Sequence, residues 1–169
     1  MYDKVLTVLL TTSLFFFPIL ALSFQNEPDG FGGIAWGTNV STLSGMVYDS
    51  QYTWTAGTTS FYRRKGDTLR FGEAQLLFLK YGFFEGKFSD VMIETRGRKN
   101  WVALKRVCFE KYAQGFKKNY YIESYRWSGK ITSMVLEYKE SEDLSTLLMK
   151  SEVIYEQIKS KLRQKAGEQ

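Results

Sequence analysis

The chain of 169 residues carries 23 Lys and Arg against 18 Asp and Glu, a net charge of +5, and 17% aromatic residues. It has no histidine and one cysteine, Cys108, so Ser-His-Asp and Cys-His catalysis, the usual zinc sites and an intramolecular disulfide are excluded. The length suits one domain, and the sequence assigns it no catalytic residue, cofactor or metal.

Met1-Tyr2-Asp3-Lys4 precedes an apolar run over residues 5–22 that ends in Ala21-Leu22-Ser23. A short polar start, an apolar middle and small residues at the cleavage point form the layout of a secretory signal peptide. The run is shorter than the roughly 20 apolar residues of a membrane span, and Pro18 breaks it near its end. A retained anchor is the alternative reading. No cysteine follows Ser23, which argues against a lipid anchor. The expected product starts at Phe24, keeps no membrane span and is periplasmic or secreted. Residues 24–30 read as a polar linker, residues 31–150 as a single domain, and residues 151–169 as a C-terminal helix and tail.

Residues 31–38 read as a short strand entering a turn. Thr38 or Asn39 can cap a short helix through Met46, on the spacing of Val40, Leu43 and Met46. Residues 47–57, rich in Tyr, Ser and Thr, show no clear period and predict a loop or irregular edge. Gly66-Asp67, between residues 60–65 and 68–71, predicts a tight hairpin. Two longer hairpins follow: residues 76–84 and 87–95 about Glu85-Gly86, then residues 119–127 and 130–139 about Ser128-Gly129. Sliding one onto the other aligns Phe84 with Trp127, Gly86 with Gly129, Lys87 with Lys130 and Glu94 with Glu137. That match suggests a duplicated helix–strands unit.

Between these hairpins, Asn100 is placed to cap a helix whose Trp101, Leu104, Val107, Cys108 and Tyr112 share one face. Cys108 is therefore expected inside and inert. Residues 144–149 read as a further strand. Residues 151–165 form a last helix with a narrow stripe of Ile154, Ile158 and Leu162, acidic at its start and basic at its end. The pattern is α+β: an antiparallel sheet built from hairpins, with helices packed on one face.

Three groups of side chains could carry function. Tyr121, Tyr125 and Trp127, with the neighbouring Arg126, form a candidate partner-binding row, because Tyr, Trp and Arg are favoured interface anchors. The favoured reading packs the same aromatics against the helix over residues 101–112 as core. Glu94 and Glu137, with Glu85 and Glu123 nearby in sequence, could serve as paired carboxylates for glycoside hydrolysis, or simply as solvated charges. The basic clusters Arg63-Arg64-Lys65, Lys105-Arg106 and Lys117-Lys118 could hold an anionic polymer if they converged.

Phe31-x-Gly33-Ile34-x-Trp36-Gly37-Thr38, followed by Arg64-Lys65-Gly66-Asp67 and by Phe109-Glu110-Lys111-Tyr112, resembles an uncharacterised family of small exported bacterial proteins with a G-I-x-W-G-T motif. The likeness runs from residue 31 to residue 139. It departs from the pattern at Ala113-Gln114-Gly115, where a glycine directly after Tyr112 is expected. The resemblance implies a bacterial envelope address and no activity.

The leading expectation is an exported, non-enzymatic binding module whose partner is a protein or an envelope component. Nucleic acid is not an expected partner for an exported chain, and no pattern fixes an oligomeric state. A carboxylate-dependent hydrolase or small-ligand-binding protein, and a binder of anionic polymers, are the alternatives.

Overall fold

The computed structural model describes residues 24–54 and 57–167, so the expected signal peptide lies outside the described residues. In chain order the strands are β1 (Gly30–Phe31), β2 (Ile34–Ala35), β3 (Met46–Trp54), β4 (Gly57–Arg64), β5 (Arg70–Phe71), β6 (Ala74–Gln75), β7 (Phe78–Phe84) and β8 (Lys87–Arg96). Helix α1 (Arg98–Tyr112) follows, then β9 (Ser124–Ser128), β10 (Thr132–Lys139), β11 (Leu144–Ser151) and α2 (Glu152–Gly167). Strands β1 with β2 and β5 with β6 form two-residue pairs. The other seven make one antiparallel sheet in the order β3-β4-β7-β8-β11-β10-β9. The fold is α+β.

Alternation along the strands sorts the sheet into two faces. Tyr81 and Phe83 on β7, Val91 and Ile93 on β8, and Met134, Leu136, Leu147 and Met149 on β10 and β11 are buried on one face. Helix α1 covers that inner face with Trp101, Leu104, Val107, Cys108 and Tyr112, all buried as their spacing predicts. Trp101 stacks on Tyr138 at 5.4 Å between centroids. Each large side chain so buried contributes about 1.5–3 kcal/mol. The thiol of Cys108 is pushed up to about 12 by burial, so it stays protonated and unreactive.

The helices do not share a face. Tyr155 of α2 lies with Val135, Leu148 and Lys150, which point away from α1, so α2 covers part of the outer face. The C-terminal stripe is too narrow to join the inner core, and the strand β11 delivers the helix to the opposite side. No helix among the described residues is long and apolar enough to cross a membrane.

Residues 24–30, expected as a linker, lie on the body. Phe24 packs edge-on against Tyr112 at 5.9 Å. Glu27 Oε1 accepts from the backbone N–H groups of Ile131 (2.5 Å) and Thr132 (2.7 Å), the start of β10. Trp36 Nε1 donates to Thr132 Oγ1 at 2.7 Å and reinforces the same junction.

Other local expectations yield to longer-range contacts. Asn39 does cap, its Oδ1 accepting from Ser41 N at 2.9 Å, but the helix is only the single 3-10 turn Val40–Thr42. The stretch expected as a loop forms β3, a nine-residue edge strand. Gly66-Asp67 turns the chain without closing a hairpin, because β4 pairs with β3 and β7 instead. Asp67 reaches back to accept from Arg64 Nε (2.8 Å) and the Tyr81 hydroxyl (2.6 Å). Helix α1 begins at Arg98 after Gly97, whose φ of 93° suits glycine. Asn100 does not cap it: its Oδ1 accepts from Gln75 N (3.0 Å), and its Nδ2 donates to Arg96 O (2.8 Å). The two aligned hairpins are not structural equivalents. Strand β9 is a sheet edge whereas β7 is internal, and no α-helix precedes the first hairpin among the described residues.

Candidate functional site

The loop between α1 and β9 carries the most exposed aromatic side chains of the described residues. Tyr121 is 91% and Tyr120 85% exposed, and Phe116 and Ile122 are exposed beside them. Large apolar groups clustered in water are unfavourable on a free surface and mark contact sites.

The loop is held from within. Phe116 and Arg126 exchange backbone hydrogen bonds of 2.7 and 2.9 Å, which close its neck. Asn119 Oδ1 accepts from Tyr121 N at 2.9 Å, an Asx turn that fixes the tip. Tyr120 and Tyr121 pack edge-on at 5.5 Å, and the Lys117 ammonium lies over the Tyr120 ring at 5.6 Å. At the base, Glu123 pairs with Lys105 and Lys117, each at 3.5 Å, and accepts from the Tyr125 hydroxyl at 3.1 Å. Burial alone would raise the Glu123 carboxyl. The Tyr125 hydroxyl and the two ammonium groups outweigh that, holding it below the ordinary carboxylate range. The same burial, with the Glu123 charge, raises the Tyr125 phenol.

The four residues of the expected partner-binding row therefore separate. Tyr125 is 6% and Trp127 4% exposed, packed on Phe109 at 5.0 and 6.1 Å between centroids. Trp127 Nε1 also donates to Ala113 O at 3.0 Å. These two point to the inner face and underpin the loop, so no continuous exposed row exists on β9. Tyr121 stands at the loop tip. Arg126, exposed on the outer side, shares a shallow cleft with Lys118, Asn119, Ile122 and Glu137. Phe116 and Ile122, neither singled out in the sequence, complete this surface with Tyr120. Their one signal was an apolar and aromatic cluster around Lys117-Lys118-Asn119 that follows neither helical nor strand period.

Of the acidic candidates, Glu94 and Glu137 come together. Both stand opposite Thr146 in the register, on the outer face. Two strand spacings put their backbones about 10 Å apart. Ser124 Oγ donates to Glu137 at 2.9 Å. Glu123 belongs to the α1 side, and Glu85 pairs with Lys161 of α2. The basic clusters disperse: Arg63 pairs with Asp49 at 2.8 Å, Arg64 with Asp67 at 2.8 Å, and Arg106 with Glu73.

Compared with protein-family models, curated proteins and solved structures, the chain matches none, and the loop with its Glu123 brace stands on its own geometry.

Proposed function

We propose that this chain is an exported, non-enzymatic binding module that engages a partner protein of the bacterial envelope through the 116–122 loop and Arg126. The observation that carries the reading is the pair Tyr120 and Tyr121, almost fully exposed yet fixed by the Asx turn and by the Lys117 contact. A contact surface ordered before binding loses less entropy on association. The exposed bases Lys118 and Arg126 beside it favour a partner with an acidic rim. The test is quantitative capture from an envelope extract by the purified chain from Phe24 onward. Tyr120→Ala with Tyr121→Ala should weaken capture about tenfold or more while the circular dichroism spectrum is unchanged. Unchanged capture by the folded double variant rejects this surface.

A second reading, carboxylate-dependent hydrolysis, is favoured by Glu94 and Glu137 lying on one open face. It requires that a cell-wall glycan be cleaved and that Glu94→Gln or Glu137→Gln abolish cleavage.

A further inference from the structure

Between α2 and the outer face of the sheet lies a cavity of about 240 Å³, on a different surface from the loop. Its floor arises from a bulge in β8. Gly82 stands opposite Asp90 and Phe83 opposite Phe88, so Ser89 is an extra residue in the strand. Ser89 is buried there. Its Oγ accepts from Phe84 N at 3.1 Å and donates to Asp90 Oδ2 at 2.6 Å. Gly82 keeps the floor low: a Cβ at this position would lie 2.8 Å from Asp90 Cβ and 2.9 Å from the Phe61 ring.

The walls are apolar. Phe84 closes one side, and Ile154, Tyr155, Ile158 and Leu162 of α2 form the roof. Lys150 stands opposite Asp90 on the neighbouring strand β11 and also lines the cavity. Its ammonium lies over the Tyr155 ring, 5.8 Å from the centroid, and makes no ion pair among the described residues. Burial pushes the Asp90 carboxyl above the ordinary range, against the opposing pull of Ser89 and Lys150.

Two costs thus meet at one place. A carboxylate among apolar walls is unfavourable unless a cation pairs with it, and apolar walls are unfavourable in contact with water. A single ligand relieves both if it carries a cationic head and an apolar body. A purely cationic amphiphile would face Lys150 without an anion to offer it. A fatty acid would set a second carboxylate beside Asp90. Cross-strand neighbours hold their side chains about 5 Å apart at Cβ, which suits a molecule bearing both charges on one carbon.

We propose that this cavity is a binding site for a small apolar zwitterion, of the class of an apolar α-amino acid. The ammonium meets Asp90, the carboxylate meets Lys150, and the side chain fills the space beneath α2. The site acts independently of the loop.

Calorimetry and thermal melting of the purified protein with L-leucine and L-phenylalanine test this. At least one should bind and raise the melting temperature. N-acetyl-leucine, which lacks the ammonium, should bind about tenfold more weakly or worse, as should leucine to Asp90→Asn. Leucinamide, which lacks the carboxylate, should be insensitive to Lys150→Met, whereas leucine should lose affinity to that variant. Ile158→Trp fills the cavity without touching the charges and should also abolish binding. Tyr120→Ala with Tyr121→Ala should leave leucine binding intact, which separates this site from the loop. The proposal is overturned if neither amino acid binds, if N-acetyl-leucine matches leucine, or if Asp90→Asn and Ile158→Trp bind leucine as the wild type does.

Discussion

Tyr121, Tyr125 and Trp127 are chemically alike and six residues apart at most, yet they have opposite fates. What divides them is the neck at Phe116 and Arg126, which starts β9 in register with β10 and turns Tyr125 and Trp127 inward. Their substitutions should differ accordingly. Trp127→Ala should cost about 3–5 kcal/mol in denaturant unfolding, as emptied aromatic core positions do. Tyr121→Ala should stay within about 0.5 kcal/mol, as exposed positions do. A large loss at Tyr121 would show that the loop supports the fold instead of presenting a surface. Glu123 adds a pH signature. Its carboxyl is held below the ordinary value of 4.5, so the folded protein binds fewer protons there than the unfolded chain. That stabilisation is complete above pH 4.5 and is lost as pH falls below it. Glu123→Gln should flatten the acid limb of the stability curve, leaving the share of Glu27 and Asp49, which are shifted the same way. An unaltered limb would mean that the brace at the loop base contributes nothing.

Among the elements, β7, β8 and α1 were readable because alternation and helical spacing report which face meets the core, a local property of the chain. Tyr81, Val91, Ile93 and the Trp101–Tyr112 face all fall inside as their period requires. The elements that were not readable depend on a distant partner. Strand β3 has no period of its own and exists because β4 offers it a ladder. Gly66-Asp67 signals a turn correctly, but which strands flank it is settled by Tyr81 and Arg64 holding Asp67. The 116–122 surface was half legible: Tyr121 and Arg126 were singled out, and the reading that packs the aromatics against the helix as core holds for Tyr125 and Trp127, which rest on Phe109, but not for Tyr121. Helix α2 sits at the weak end of the stability range, since Ile154 is its one well-buried apolar side chain and Tyr155 and Leu162 remain exposed. Amide exchange should therefore be fast in α2 through local opening and slow in β8 and β11, which open only with the whole fold. Equal protection of α2 and β8 would contradict this light packing.

At the scale of the molecule, the two edges of the sheet are finished differently. The β3 edge is long, and a bulge between Tyr48 and Ser50 interrupts its ladder, with Asp49 tied to Arg63 and Lys80 at 2.8 and 2.6 Å. Such irregular, charged edges resist pairing with other chains. The β9 edge is short and partly closed by Phe116, which places the aromatic loop at that end of the sheet. The N-terminal clasp through Glu27 fixes the opposite end of β10. The molecule thus offers its two most exposed aromatics, Tyr120 and Tyr121, at one corner, backed by a core that does not need them. The most direct check is site-specific photo-crosslinking in cells that produce the protein, with the reactive group at position 121 and, as an exposed control, at Leu69. The account predicts a discrete adduct from position 121 that is absent from position 69. No adduct from 121, or equal adducts from both positions, would contradict it.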